Sequence, residues 1–237
     1  MKRADKDMGG CGLIGFINRD GKRTGGEAII RGIVNMRERG NGLGAGFAGY
    51  GIYPDYADCF ALHLMCDSDS ALEEAARVVE RYFLVRDHGE IPTRPNPRIV
   101  NPPILYRFFV RARPEALAEG EMEEDLVVRT VMEINDKIRG AYVFSSGRNM
   151  GAFKGVGEPD DLADFYRIDE YGAYTWIAHT RFPTNTPGWW GGAHPFTILD
   201  WAIVHNGELS SYGIDKRYLE SYGYKCTLLT DTEVVAY

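Results

Sequence analysis

Gly10-Cys11-Gly12-Leu13-Ile14-Gly15-Phe16-Ile17-Asn18-Arg19-Asp20-Gly21 is the stretch on which the reading of this chain turns. The apolar run Gly12 to Ile17, closed by the polar Asn18-Arg19-Asp20-Gly21, predicts a short strand and then a turn. A cysteine therefore stands immediately before a strand. Alone that is a weak signal, since isolated cysteines mostly fill buried space as small apolar groups. Its meaning depends on what else the chain carries.

Composition narrows the classes first. At 237 residues, 44% hydrophobic and 26% charged, the chain can bury a sizeable core in the manner of an ordinary soluble domain. A formal net charge of -7 argues against a nucleic-acid binder, which carries a basic surplus. No run of about 18 apolar residues exists to span a membrane. Met1 to Gly10 is charged and lacks an apolar secretory core, so the cytoplasm is the expected compartment. Four cysteines are too few and too scattered for a disulfide scaffold. Cys59, His63 and Cys66 invite a metal reading, but Phe60 to Cys66 reads as a buried strand. Its alternation puts Cys59 and His63 on one face and Cys66 on the other, so no metal site is expected.

After the first turn, Glu27 to Arg39 carries a helical stripe at Ile29, Ile30, Ile33 and Val34. The glycine-rich Gly40 to Gly46 follows. A dinucleotide fingerprint needs a strand before it and a helix after it, and here that order is inverted. From about residue 60 to 140 the pattern changes. A strand at Phe60 to Cys66 leads to a helix capped near Ser68 or Asp69, with a stripe at Leu72, Ala75, Ala76, Val79 and Phe83. A proline-rich loop precedes the strand Ile104 to Val110, acidic Glu121 to Asp125 open a second helix, and Ala141 to Phe144 is strand again. This predicts a self-contained β-α-β-α-β subdomain, inserted into the main fold. Arg107, Arg111 and Arg113 give it a basic stripe, suited to an acidic partner surface or simply a solvated face. The last sixty residues suggest strands at Trp176 to His179 and Trp201 to His205, then a helix from about Asp215 to Tyr222 ended by Gly223. Thr230 and Glu233 have capping-box spacing, so a helix is starting where the chain stops, and a C-terminally truncated fold is expected.

Five further segments change the weight of Cys11: Arg39-Gly40, His179-Thr180-Arg181-Phe182, Ala193-His194-Pro195-Phe196, His205-Asn206-Gly207-Glu208 and Thr230-Asp231-Thr232-Glu233. In this order and spacing they resemble the class II glutamine amidotransferases, N-terminal-nucleophile hydrolases that open with Cys-Gly. The stretches Thr180-Arg181-Phe182-Pro183-Thr184-Asn185-Thr186 and Gly223-Tyr224-Lys225-Cys226 look most like the glutaminase part of glutamate synthase, especially its separately encoded archaeal type. The resemblance covers residues 11–50 and 140–237; most of the family has no counterpart of the stretch between. It implies an α+β fold, an αββα sandwich of two antiparallel sheets faced by helices, with residues 1–10 as a leader and residues 11–237 as a partial amidotransferase domain.

The roles follow from what amide hydrolysis requires. A thiol with a pKa of about 8.5 needs a base, and a free α-amine of pKa roughly 7.7 to 8 titrates near working pH on the same residue. Cys11 is then nucleophile and, through its own amine or a bridging water, base. Inside a chain that nitrogen is an amide, so the mechanism requires removal of Met1 to Gly10, as the resemblance also implies. Arg181 suits the substrate α-carboxylate as a planar donor pair, and Asp231 suits the α-ammonium. The plain alternatives are a surface arginine and a helix N-cap. In the family pattern the Asn206 amide and the Gly207 N–H form the oxyanion hole, although Asn-Gly after a strand is also a hairpin signal. Glu208 is counted with the substrate-binding residues, as are Arg39 and Gly40, which the family places beside the nucleophile. A helix-terminal arginine with a capping glycine needs no function at all.

The expected reaction is glutamine hydrolysis that supplies ammonia to a synthase subunit or domain. The resemblance implies FMN and an iron–sulfur cluster in that partner, and no cofactor in this chain. Two other readings stay open. One is a papain-like hydrolase pairing Cys11 with His179, His194 or His205, which would be active with the leader attached. The other is a non-catalytic interaction or regulatory module built on the same fold.

Overall fold

The computed structural model describes residues 10–182 and 188–237. Pro183 to Thr186 of the family-like motif and most of the expected leader lie outside the described residues.

The chain starts with β1 (Gly12–Ile17) and the two-residue β2 (Thr24–Gly25), then α1 (Glu27–Val34) and β3 (Ala45–Tyr50). Next come β4 (Phe60–Cys66), α2 (Asp69–Tyr82), β5 (Phe83–Glu90), β6 (Ile104–Ala112), α3 (Glu123–Lys137) and β7 (Ala141–Ser145). It returns through β8 (Met150–Gly155), α4 (Pro159–Phe165), β9 (Gly172–Ala173) and β10 (Thr175–Thr180). The hairpin β11 (Phe196–Ile198) and β12 (Trp201–Ile203) precedes α5 (Tyr212–Ser221) and α6 (Asp231–Ala236). The helix expected over Glu27 to Arg39 is shorter: α1 stops at Val34, and Arg37–Arg39 form a separate 3-10 turn capped by Gly40.

The first sheet has the order β1-β10-β3-β8, antiparallel throughout. Phe47 pairs with both Ala178 and Phe153, so these three share a face. Ile29 and Ile33 of α1 and Leu162 and Phe165 of α4 join them in one buried core. The opposite face carries Gly46, Lys154 and His179. There the His194 ring stacks on His179, and the Lys154 ammonium lies 4.3 Å from the centre of the Phe196 ring of β11. Helix α6 packs on both strands of that hairpin. The sheet thus has helices α1 and α4 on one face and the hairpin with α6 on the other.

The second four-stranded sheet, β5-β6-β4-β7, is also antiparallel. It corrects the expected β-α-β-α-β subdomain to β-α-β-β-α-β, a ferredoxin-like split motif. The extra strand is β5. Its residues Arg86-Asp87-His88-Gly89-Glu90 are polar because it is a sheet edge, and a register shift between Val85 and Asp87 breaks the alternation that would have revealed it. Phe83, expected in the helical stripe, is extended and opens this strand.

The unit is emitted between β3 and β8, which are hydrogen-bonded neighbours, so it takes the place of a hairpin turn. It is not self-contained. One face (Phe60, Leu62, Leu64, Phe108, Val110) is buried under α2 and α3, as the sequence pattern predicts. The other face (Ala61, Met65, Phe109, Phe144) belongs to the core of the first sheet. His63, fully buried, donates from Nδ1 to Ala152 O of β8, which leaves its Nε2 to accept from the Tyr53 hydroxyl, both at 2.9 Å. The predicted alternation is realised: Cys59 lies in the shared core and Cys66 under the helices. The basic stripe also has contacts within the chain. Arg107 stacks over the Tyr53 and Phe109 rings, Arg111 pairs with Asp58 and Arg113 with Glu115.

Candidate active site

Strand pairing sets the frame. Gly12 of β1 lies opposite Thr180 of β10, which lies opposite Ala45 of β3. The ladder runs on past the strand ends, with Arg181 N–H donating to Gly44 O at 2.8 Å and Asn41 N–H to Arg181 O at 3.4 Å. Cys11 is half-buried at this corner, and its Sγ accepts the Phe182 N–H at 3.3 Å.

Two other predicted residues converge on Cys11. Arg39 Nε donates to Cys11 O at 3.2 Å, and Asn206 Nδ2 donates to the same oxygen at 3.1 Å. The Arg39 carbonyl in turn accepts the Gly10 N–H at 3.2 Å. Gly40 is required for close approach: a Cβ there would collide with Thr180 Oγ1. Asn206 Nδ2 carries two N–H groups, so one remains for a ligand. The Gly207 N–H has no acceptor among the described residues. Asn206 and Gly207 do not form a hairpin; the hairpin is one turn earlier, between β11 and β12, and the Asn-Gly bend runs on toward α5. Glu208 is exposed on that bend.

Arg181 is 6% exposed. Burial lowers its pKa, and the nearby Cys11 and Asp231 oppose that shift. Asp231 is not the N-cap of α6. Thr230 is, accepting the Glu233 N–H, while Asp231 is the first helical residue. Its Oδ2 accepts the Leu209 N–H at 2.8 Å, which ties α6 to the segment after Asn206. The capping box is half formed, because Glu233 instead accepts the Thr227 and Leu228 N–H groups at 3.0 and 2.8 Å.

The three histidines sit behind this corner. His179 Nε2 lies 3.0 Å from His205 O, and His194 Nε2 lies 2.9 Å from Thr232 Oγ1. Burial pushes His179 down to about 4 and His194 well below the ordinary histidine value, so both rings are neutral. Among the described residues the only hydrogen bond to the Cys11 sulfur is the one from Phe182.

Sequence reasoning missed Lys154 and Glu233. Burial takes Lys154 down to about 7 and Glu233 up to about 7, and each counters the other's shift electrostatically. Lys154 Nζ donates to Gly191 O at 3.0 Å, which holds the 188–192 segment against Arg181. The signal was present: a lysine between Phe153 and Gly155 in an apolar strand marks a buried charge. Two clefts, of about 690 and about 830 Å³, lie elsewhere and include neither Cys11 nor Arg181. The second is lined by Met65, Tyr142, Trp189, Trp190 and Leu228.

A cysteine at a strand end thus stands beside a buried arginine, an aspartate and an Asn-Gly bend, in an α+β fold of antiparallel sheets. The family model of class-II glutamine amidotransferases matches residues 93–226, more than half of the chain. The chain belongs to the class II glutamine amidotransferases. The match includes Arg181, Asn206, Gly207 and Glu208, and it begins inside the β5–β6 connection. An uncharacterised protein of Archaeoglobus fulgidus is 55% identical over 98% of this chain and 62% of its own length. A putative glutamine amidotransferase of Methanothermobacter thermautotrophicus is 27% identical over 96% of this chain and 70% of its own. A glutamine–fructose-6-phosphate aminotransferase of Vibrio cholerae is 33% identical over 52% of this chain and 20% of its own. The chain thus spans 62% of the length of the Archaeoglobus relative. No helix among the described residues is long and apolar enough to cross a membrane.

Proposed function

We propose that this chain hydrolyses glutamine to glutamate and ammonia with Cys11 as nucleophile, and passes the ammonia to a synthase subunit or domain such as that of glutamate synthase. The observation that carries the reading is the convergence of Arg39, Asn206 and Phe182 on Cys11, one strand register from Arg181. FMN and an iron–sulfur cluster would belong to the partner, and the chemistry here needs only the chain's own residues.

In this mechanism residues 1–10 are removed and the Cys11 α-amine takes the thiol proton, directly or through one water. Sulfur attacks the substrate carboxamide carbon, and the oxygen that gains charge is held by the free Asn206 N–H and the Gly207 N–H. The ammonium-bound proton passes to the leaving nitrogen, ammonia departs, and a thioester remains. Water, deprotonated by the same amine, hydrolyses the thioester to glutamate and restores the thiol. Arg181 holds the α-carboxylate and Asp231 the α-ammonium, with Glu208 at the mouth. The αββα sandwich is supported by helices and a hairpin on opposite faces of the first sheet, and the 60–145 unit reads as an insertion because it interrupts a paired hairpin.

The test combines a glutaminase assay with N-terminal sequencing of the active protein. Activity in a protein whose first residue is Cys11 is the expected result. Full activity with Met1 still in place would remove the amine from the mechanism.

A further inference from the structure

Thr232, the second residue of α6, is 1% exposed, and its hydroxyl touches three side chains. Oγ1 donates to Asp231 Oδ1 at 3.2 Å, with His194 Nε2 at 2.9 Å and His205 Nδ1 at 3.4 Å. A hydroxyl has one proton and two lone pairs. With the proton on Asp231, both imidazoles must donate, so His194 carries Nε2–H and His205 carries Nδ1–H. His179 follows by the same logic: its Nε2 faces the His205 carbonyl, which only accepts. The remaining nitrogens, Nδ1 of His179 and of His194, are buried without a hydrogen-bond partner among the described residues. A proton on either would create a buried cation with nothing to pair it. The two rings stack with centres 4.0 Å apart, as neutral rings can.

Helix α6 does not need this hydroxyl for its own anchorage. Thr230 caps it, and the Glu233 carboxylate binds two backbone N–H groups. What the Thr232 hydroxyl joins is Asp231 to the His205-Asn206-Gly207 segment. Asp231 is held at both oxygens, by Leu209 N–H on Oδ2 and by Thr232 on Oδ1. Without Thr232 the carboxylate keeps only the Leu209 N–H hydrogen bond, on Oδ2, and Oδ1 is left unheld. The Asn206 segment keeps two other ties, from His179 to His205 O and from Asn206 to Cys11 O.

We propose that Thr232 is a positioning residue whose hydroxyl fixes the Asp231 carboxylate against the histidine network, holding the site for the substrate α-ammonium in register with Cys11 and Asn206. This rests on the glutaminase reading above and adds a residue to it.

Thr232→Val keeps the branched shape and deletes the hydroxyl, and Thr232→Ser keeps the hydroxyl. In the full, processed protein, Thr232→Val is expected to raise KM for glutamine about tenfold, the weight of one ordinary hydrogen bond, with kcat changed by less than about threefold. Thr232→Ser is expected to stay within about twofold of the native protein in both, since its hydroxyl can make the same bonds. Nitrogen-15 spectra of the imidazoles should show His194 Nε2 and His205 Nδ1 shifted in the valine variant and unshifted in the serine one. Thr232→Cys, a poor donor of similar size, takes the place of valine should that variant not fold. Equal impairment of the valine and serine variants, an unchanged KM in the valine variant, or a loss confined to kcat overturns the proposal. If the native protein hydrolyses no glutamine, the glutaminase reading is what fails, and the imidazole spectra then decide the network alone. Unmoved histidine signals in Thr232→Val would overturn it.

Discussion

The Cys11 sulfur accepts the backbone N–H of Phe182, the residue directly after Arg181. Gly12 pairs with Thr180, so Cys11 and the buried Arg181 sit at adjacent strand ends of one antiparallel pair. Their separation is set by strand register rather than by loop conformation. A slip of one residue would turn Arg181 to the opposite face of the sheet.

Cys11→Ala should abolish glutamine hydrolysis while glutamine still binds, because Arg181 and Asp231 are held by other contacts. Steady-state assay and calorimetry on the same protein check this. Loss of binding together with activity would show that the sulfur side chain, or the fold around it, holds the substrate.

Arg181→Lys keeps the charge and loses the planar fork, so glutamine binding should weaken by about 1.5–3 kcal/mol, one charged hydrogen bond. Asn206→Ala should instead lower kcat about 100- to 1,000-fold, since in the proposed mechanism its second N–H binds the developing oxyanion. Its second effect, loss of the bond to Cys11 O, acts on the same step. Indistinguishable kinetics for the two variants would erase the division between binding and catalysis.

Most of the Cys11 corner was legible because motif order places its residues. Cys11 and Arg181 are brought to one corner by the β1–β10 ladder, and Arg39 and Asn206 join it through side-chain hydrogen bonds to Cys11 O. What escaped depends on tertiary context. The β5 strand is polar because it is an edge, so it carries no period-two signal. Asn206-Gly207 has the composition of a hairpin turn but no strand follows it to pair. Asp231 reads as a cap by residue type, yet Thr230 beside it is better placed. The inner face of the second sheet looks like any apolar strand face, and nothing local says that it borrows its core from the first sheet.

His63 makes stability fall in acid. Burial lowers its folded pKa to about 3 from the ordinary 6.5. The unfolded chain therefore takes up a proton first, and the contribution is intact above about 6.5 and lost as pH falls toward 3, by at most about 1.4 kcal/mol per pH unit. His179 and His194, also held neutral by burial, act in the same direction. His63→Gln should flatten part of the decline between pH 6.5 and 4.5 in urea unfolding. An equally steep decline in the variant would mean that His63 is protonated in the folded protein.

Phe109→Ala tests whether the 60–145 unit stands alone. Phe109 is 1% exposed and lies on the inner face of the second sheet, stacked 4.0 Å from Tyr56 and edge-on to Tyr53 at 4.9 Å. Its neighbour Phe108, 2% exposed, points the other way into the core under α2 and α3. Each truncation should cost about 3–5 kcal/mol, the usual range for a buried phenylalanine. The consequences should differ in place. Removing Phe109 opens the core shared with Phe47 and Phe153, so amide exchange should quicken in β3 and β8 as well as in β4 and β6. Removing Phe108 should loosen α2 and α3 and leave β3 and β8 protected at their native level. Protection in the first sheet that is untouched by Phe109→Ala would restore a self-contained unit. In that case residues 60–145 could be excised without harm to the Cys11 site, which the shared core otherwise forbids.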